Sequence, residues 1–214
     1  MIGRPVRWSL ILAGISALLF APSASRGAEQ DDATYRTLLE RVKEGDLTID
    51  FRALRFACMK ASHCEPTGSL ADLTAMSVED PRKVVAVAEK LVEDGFVNLE
   101  AHATAAGAYT QLNNAEKANT HFAITLALMA SIMRSRDGKT KASAYEVICD
   151  REEYSVLSAL GLSYLPPGAS TTLVKDGAHS YEKWDTQNLK TGQKVVVYFN
   201  IDAFIPAKSL VRDK

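Results

Sequence analysis

The sequence predicts an α+β fold, a run of helices followed by a small antiparallel β-meander. Three observations carry this. Apolar residues recur at helical spacing between polar caps from about residue 31 to 137; a period-two alternation takes over at Ser143; and Val195-Val196-Val197-Tyr198-Phe199 is an unbroken β-forming run flanked by turn residues. Helices grouped ahead of strands argue for α+β rather than a wound parallel sheet. With 47% apolar and 24% charged residues in 214, the chain has material for one core, read as a single domain over residues 26–214.

The first 25 residues read as a cleavable signal peptide. Arg4 and Arg7 precede an apolar run from Trp8 to Phe20, followed by Pro22 and small residues, with cleavage placed after Ser25 within a window of 23 to 28. The run is shorter than the ~20 residues a spanning helix needs. It predicts export to the periplasm or outside the cell, with no membrane span in the mature chain. Losing two arginines and no acids makes the mature protein more acidic than the net charge of −1 of the whole chain. Without a basic block, nucleic acid has no electrostatic purchase.

Tyr35, Leu38, Leu39 and Val42 form the first amphipathic stripe, behind Asp32 and ahead of Gly45. Asp50 caps a second helix with Phe51, Leu54, Cys58 and Ala61 on one face, and Leu70, Leu73 and Met76 suggest a short third. Asp80-Pro81 is a cap followed by proline at the first helical position, and that helix keeps its period to Gly95. Asn98 opens a helix through Tyr109, and Asn113-Asn114 turns it into another with Ala118, Phe122, Leu126, Met129 and Met133 on one face. This hairpin is partly tetratricopeptide-like, because Ala106, Ala118 and Phe122 fall on the small, small and large packing positions relative to Tyr109. No further copy follows, which argues against an array.

The β-rich part spans about residues 143 to 205. Tyr145, Val147 and Cys149 alternate as in a strand, and Asp150 then caps a short helix from Arg151 to about Leu160. Thr171–Val174, Ser180–Trp184 and Lys194–Asn200 read as strands joined by Asp176-Gly177 and Thr191-Gly192 turns. Aromatic residues on these strands are first of all core.

Three cysteines, Cys58, Cys64 and Cys149, follow the signal, an odd number for an oxidising compartment. Pro66 and Gly68 end the second helix early enough for Cys64 to fold back toward Cys58. A bridge to Cys149, or three reduced thiols, are the other arrangements. Zinc-finger spacing is absent.

His102 and His121 are the first candidates for chemistry. They lie on facing helices with an axial offset of about 5 Å, and helix axes pack ~8–10 Å apart, so the imidazoles can meet or share a transition metal. Asp137, Asp150, Glu152 and Glu153 could add carboxylates, with Tyr154 alongside. The structural alternatives are hydrogen-bonded core histidines and helix-capping acids. Asp137-Gly138-Lys139-Thr140 lacks the glycine spacing of a phosphate loop, and no nucleophile motif stands out.

From about Asp50 to Ile205 the chain resembles the domain-of-unknown-function family DUF4919 of exported bacterial proteins. The resemblance rests on Asp50-Phe51-x-x-Leu54-Arg55, Ala101-His102 with Tyr109, His121, Ser131-Ile132, Ser135-x-Asp137-Gly138, Glu152-Glu153-Tyr154 and Tyr198-Phe199-Asn200-Ile201-Asp202. It implies an exported helix-rich domain with a C-terminal strand region and names no substrate. It also singles out His102, His121, Asp137, Glu152, Glu153 and Tyr154 as the place where a site would lie. Cys58 and Cys64 stand where the family resemblance implies aromatic residues, a paired departure that favours a disulfide between them.

The leading expectation is a protein-binding or envelope-associated module. The alternatives are a metal-dependent binder or hydrolase built on His102, His121 and a carboxylate, and a purely structural envelope protein.

Overall fold

The computed structural model describes residues 23–61, 80–134 and 136–204. The apolar run from Trp8 to Phe20, the expected short helix at Leu70–Met76 and Cys64 lie outside them. The helices are α1 (Ser23–Lys43), α2 (Phe51–Lys60), α3 (Pro81–Asp94), α4 (Leu99–Gln111), α5 (Ala115–Met133) and α6 (Asp150–Ala159). The strands are β1 (Tyr145–Glu146), β2 (Ser170–Asp176), β3 (His179–Gln187) and β4 (Lys194–Asn200).

The fold is α+β, and the caps explain most helix starts. Asp50 Oδ1 accepts from the Ala53 amide at 3.0 Å, Asp80 from Arg82 at 3.2 Å, Asn98 from Ala101 at 3.1 Å and Asn114 from Lys117 at 3.2 Å, so each satisfies one orphan donor. Asn113 makes the tight turn between α4 and α5 at a φ of 56°, a conformation asparagine tolerates better than most residues. Asp32 is not a cap. The helix begins well before it, and Asp32 pairs instead with Arg36 at 3.0 Å, one turn on.

The sheet is mixed, in the order β1-β4-β3-β2. β2, β3 and β4 form the expected antiparallel meander, with Thr171 opposite Trp184 and Trp184 opposite Val197. The two-residue β1 is parallel to β4, pairing Tyr145 with Phe199. The expected strand over residues 143–149 is therefore cut short, because Ile148 and Cys149 already turn into α6. Cys149, not Asp150, holds the cap position there and makes no side-chain cap bond. The cap falls to Glu152, whose Oε2 reaches back to the Ile148 amide at 2.9 Å.

A main core joins the layers, and a second, small cluster of Ala88, Ala105, Tyr109 and Ala118 packs α3, α4 and α5 together. Leu54 and Cys58 of α2, Leu128 and Ile132 of α5, Val156 and Leu157 of α6, and Val197 and Phe199 of β4 are buried together. The α5 stripe departs from expectation: its buried residues are Ala118, His121, Ile124, Leu128 and Ile132, while Phe122 is 55% and Leu126 54% exposed. The helix is rotated by one residue, about 100°, from the purely apolar reading. With Phe122 facing outward, the large packing position of a tetratricopeptide unit is unfilled and that likeness is not confirmed. His121 lies on the buried face, as its place opposite His102 implies, and a hydrogen-bonded partner holds it there.

Candidate functional site

His102 sits one turn into α4 and His121 two turns into α5, and the hairpin brings the rings together. Their Nδ1 atoms are 3.0 Å apart, and the residues are 1% and 8% exposed. His102 Nε2 lies 2.8 Å from the Phe96 carbonyl oxygen, with the Phe96 ring edge-on to the imidazole at 5.0 Å. A carbonyl only accepts, so Nε2 carries the proton. Burial pushes the His102 pKa down to about 4, with the His121 charge acting in the same direction and the Phe96 carbonyl and Glu89 opposing, so the ring is neutral at pH 7. Nδ1 of His102 is then a lone pair, and the proton between the rings belongs to His121.

His121 Nε2 faces Glu89 Oε1 of α3 at 3.4 Å. His121 therefore links the two contacts, its Nδ1 turned to His102 and its Nε2 to the carboxylate. Tyr109 stacks on His121 with ring centroids 5.6 Å apart and donates its hydroxyl to Glu89 at 2.6 Å. Lys117 in turn donates to the Tyr109 oxygen at 3.0 Å. Burial would raise the Glu89 pKa, but the Tyr109 hydroxyl, His121 and Lys117 outweigh it and the net shift is downward. The carboxylate of this cluster is therefore Glu89, on a helix that hydrophobic patterning marks only as amphipathic. It is not one of the acids the sequence suggested.

Those acids are elsewhere and apart. Glu152 receives Arg55 Nε at 2.7 Å and Nη2 in a fully buried, two-pronged ion pair. Arg55 also donates to the Glu146 carbonyl at 2.9 Å and to Ser131 Oγ at 3.3 Å, tying α2, α5, β1 and α6 at one point. Glu153 accepts from Trp184 Nε1 of β3 at 2.7 Å, and its buried carboxyl also meets the Glu182 carboxyl, a contact that is a hydrogen bond only when one of the two carries a proton. Burial, with the charges of Glu182 and Asp150 behind it and the Trp184 bond against it, pushes its pKa up to about 9, so Glu153 is a neutral acid at pH 7. Tyr154 packs edge-on to Trp184 at 5.7 Å.

Asp137 is exposed and accepts from Ser143 Oγ at 2.6 Å and the Lys139 amide at 3.1 Å, contacts that hold its pKa down to about 2. Next to it, Gly138 adopts φ +66°, and a Cβ there would lie 2.5 Å from the Tyr145 ring. The Asp137-Gly138 turn is thus a clasp on the sheet, where the Tyr198 amide donates to the Gly138 carbonyl at 2.7 Å. Among the described residues, no group of three or more His, Cys, Asp or Glu side chains is placed to hold a metal ion.

A different feature opens to solvent. Between α4, α5 and α6 runs a groove of about 510 Å³ walled by Leu99, Glu100, Ala103, Met129, Tyr154 and Tyr164, with Leu165 at its rim. Leu165 is 65% exposed. Glu100 Oε2 is buried there with no hydrogen-bond partner.

A family model described as a domain of unknown function, DUF4919, matches residues 28–208. The chain belongs to the DUF4919 family. No curated protein and no solved structure matches it.

In this DUF4919 chain the motif residues that carry the family resemblance are largely those that knit helices to sheet. Arg55, Ser131 and Glu152 meet in one hydrogen-bonded knot, Phe199 and Ile201 are core, and Asp202 accepts from the Ser180 amide at 2.7 Å and contacts His179 at 2.6 Å. Ser135 lies outside the described residues. Among the described residues, no helix is long and apolar enough to cross a membrane.

Proposed function

We propose that this DUF4919 protein is an exported binding module that takes up an apolar segment of a partner protein on the face formed by α4, α5 and α6. The observation that carries the reading is the exposed ridge of Phe122 and Leu126, spaced one turn apart on α5, which leads by a further three residues to Met129 in the groove wall. Large apolar side chains grouped beside a concavity are what interaction surfaces expose, whereas isolated ones are ordinary. Export rests on Arg4, Arg7 and the apolar run that follows them.

The titratable residues favour binding over catalysis by their engagement. His102 has one nitrogen on the Phe96 carbonyl and the other on His121, and Glu152 spends both oxygens on Arg55. Neither has a free lone pair or proton directed at a cavity. These contacts brace the fold behind the binding face.

The test places a photo-crosslinking phenylalanine derivative at Leu126 and, as a control, at exposed Thr172 on the edge strand, in the cell that makes the protein. A discrete adduct from Leu126, absent from Thr172 and abolished by Leu165→Asp, is expected. Identical adducts from both positions, or none from Leu126, would sink the reading.

A further inference from the structure

The groove contains a carboxyl group, Glu100, one of whose oxygens is buried with no hydrogen-bond partner among the described residues. Glu100 stands in the first turn of α4, where an acid favours the helix dipole, but that preference is met equally well by a solvated carboxylate. Here one oxygen is buried without a donor, an arrangement that costs free energy unless something supplies a hydrogen bond. Burial raises the Glu100 pKa, with Arg151 acting against the rise and Asp150 adding to it. A cation arriving beside Glu100 would oppose that rise and give the buried oxygen a donor.

The walls around it are specific in kind. The rings of Tyr154 and Tyr164 lie 5.9 Å apart, and Leu99 and Met129 supply apolar surface. Aromatic faces attract cations, and a long apolar stem packs along such walls while its charged head seeks an acceptor. A single orphan oxygen suits the compact ammonium group, whereas a guanidinium fork is best matched by two parallel acceptors. The volume of about 510 Å³ accommodates such a side chain with room to spare.

We infer that Glu100 receives the ammonium group of a lysine carried by the partner segment, with the lysine stem lying on Leu99, Met129 and the two tyrosine rings. This rests on the reading of the α4–α5–α6 face as a binding surface and names the chemistry of its anchor.

The experiment is an NMR titration of the full mature chain with Nα-acetyl-lysine N-methylamide and, in parallel, its norleucine counterpart, which keeps the stem and lacks the ammonium. The lysine probe is expected to shift resonances of Glu100, Ala103, Tyr154 and Tyr164 and to bind roughly tenfold more tightly than the norleucine probe. Glu100→Gln should bring the lysine probe down to the norleucine level with the circular dichroism unchanged, and Tyr164→Ala, at a solvent-exposed wall residue, should weaken it several-fold. Equal binding of the two probes, or lysine binding indifferent to both substitutions, would overturn the assignment while leaving a Leu126 crosslink intact. Selective lysine binding without any Leu126 crosslink would instead overturn the partner protein as its source.

Discussion

His102 Nδ1 accepts the proton of His121 Nδ1 across 3.0 Å, because the other nitrogen of His102 is committed to the Phe96 carbonyl. Burial, with the His121 charge behind it, keeps His102 neutral down to about pH 4, against an ordinary value of 6.5. Between these values the unfolded chain binds a proton that the native state refuses, so this residue's contribution to stability is complete above about pH 6.5 and is lost as pH falls toward 4. The loss over that window is about 3 kcal/mol as an order of magnitude. Two-dimensional NMR of the imidazole nitrogens should find His102 as the Nε2–H tautomer at pH 7. An Nδ1–H tautomer would refute the assignment.

Glu153 works in the opposite sense. Its folded pKa is raised to about 9, so its contribution is whole below the ordinary carboxyl value of 4.5 and is lost as pH rises through 9. Between about pH 4.5 and 6.5 the two slopes cancel in part, and wild-type stability should look nearly flat there. Urea denaturation of Glu153→Gln should expose the rising limb due to His102, with a gain of about 3 kcal/mol over wild type at pH 7 and none at pH 4. The same measurement on His102→Gln should expose the falling limb. Parallel curves for all three proteins would mean that neither group is perturbed.

The parts of this fold legible in the sequence are those written in local chemistry. Asp50, Asp80, Asn98 and Asn114 each cap the helix they announce, and the Lys194–Asn200 strand has the expected bounds. The meeting of His102 and His121 follows from the turn at Asn113, since hairpin offset is countable. What escaped depends on long-range pairing. Glu89 completes the histidine chain from a third helix, Arg55 meets Glu152 across 97 positions, and Trp184 meets Glu153 across 31. No periodicity encodes such partners. The parallel pairing of β1 with β4 escaped for the same reason, as two residues are too few to show an alternation.

Arg55 is buried with its charge fully matched, so removing one side should be expensive. Arg55→Met leaves Glu152 enclosed without its partner, and is expected to cost about 3–5 kcal/mol in urea denaturation at pH 7. Arg55→Met combined with Glu152→Leu should recover a large share of that loss, because desolvating an apolar pair carries no comparable penalty. Additive losses would show that the two residues are not coupled.

The rotation of α5 can be tested by comparing neighbours of like chemistry. Leu128 is core and Leu126 is 54% exposed. Leu128→Ala is expected to destabilise by about 2–5 kcal/mol through lost burial and a cavity. Leu126→Ala should stay within about 0.5 kcal/mol, as surface substitutions do. The purely apolar stripe of Phe122, Leu126 and Met129 demands the reverse order, so one pair of denaturation curves decides between the two faces.

The cysteines tie the proposed export to packing. Cys149 is a free thiol whose pKa burial pushes up to about 12, with the Glu152 charge adding to the rise, so little thiolate is present at pH 8 for a reagent to attack. Cys58 is buried in the core, and its pairing with Cys64 is the arrangement expected in an oxidising compartment. Protein isolated from the compartment it occupies, kept unreduced and unfolded in guanidinium, should titrate one thiol per chain with Ellman's reagent. The folded protein should react far more slowly. Three thiols on unfolding would exclude the bridge and count against export, because disulfides form and persist in oxidising compartments.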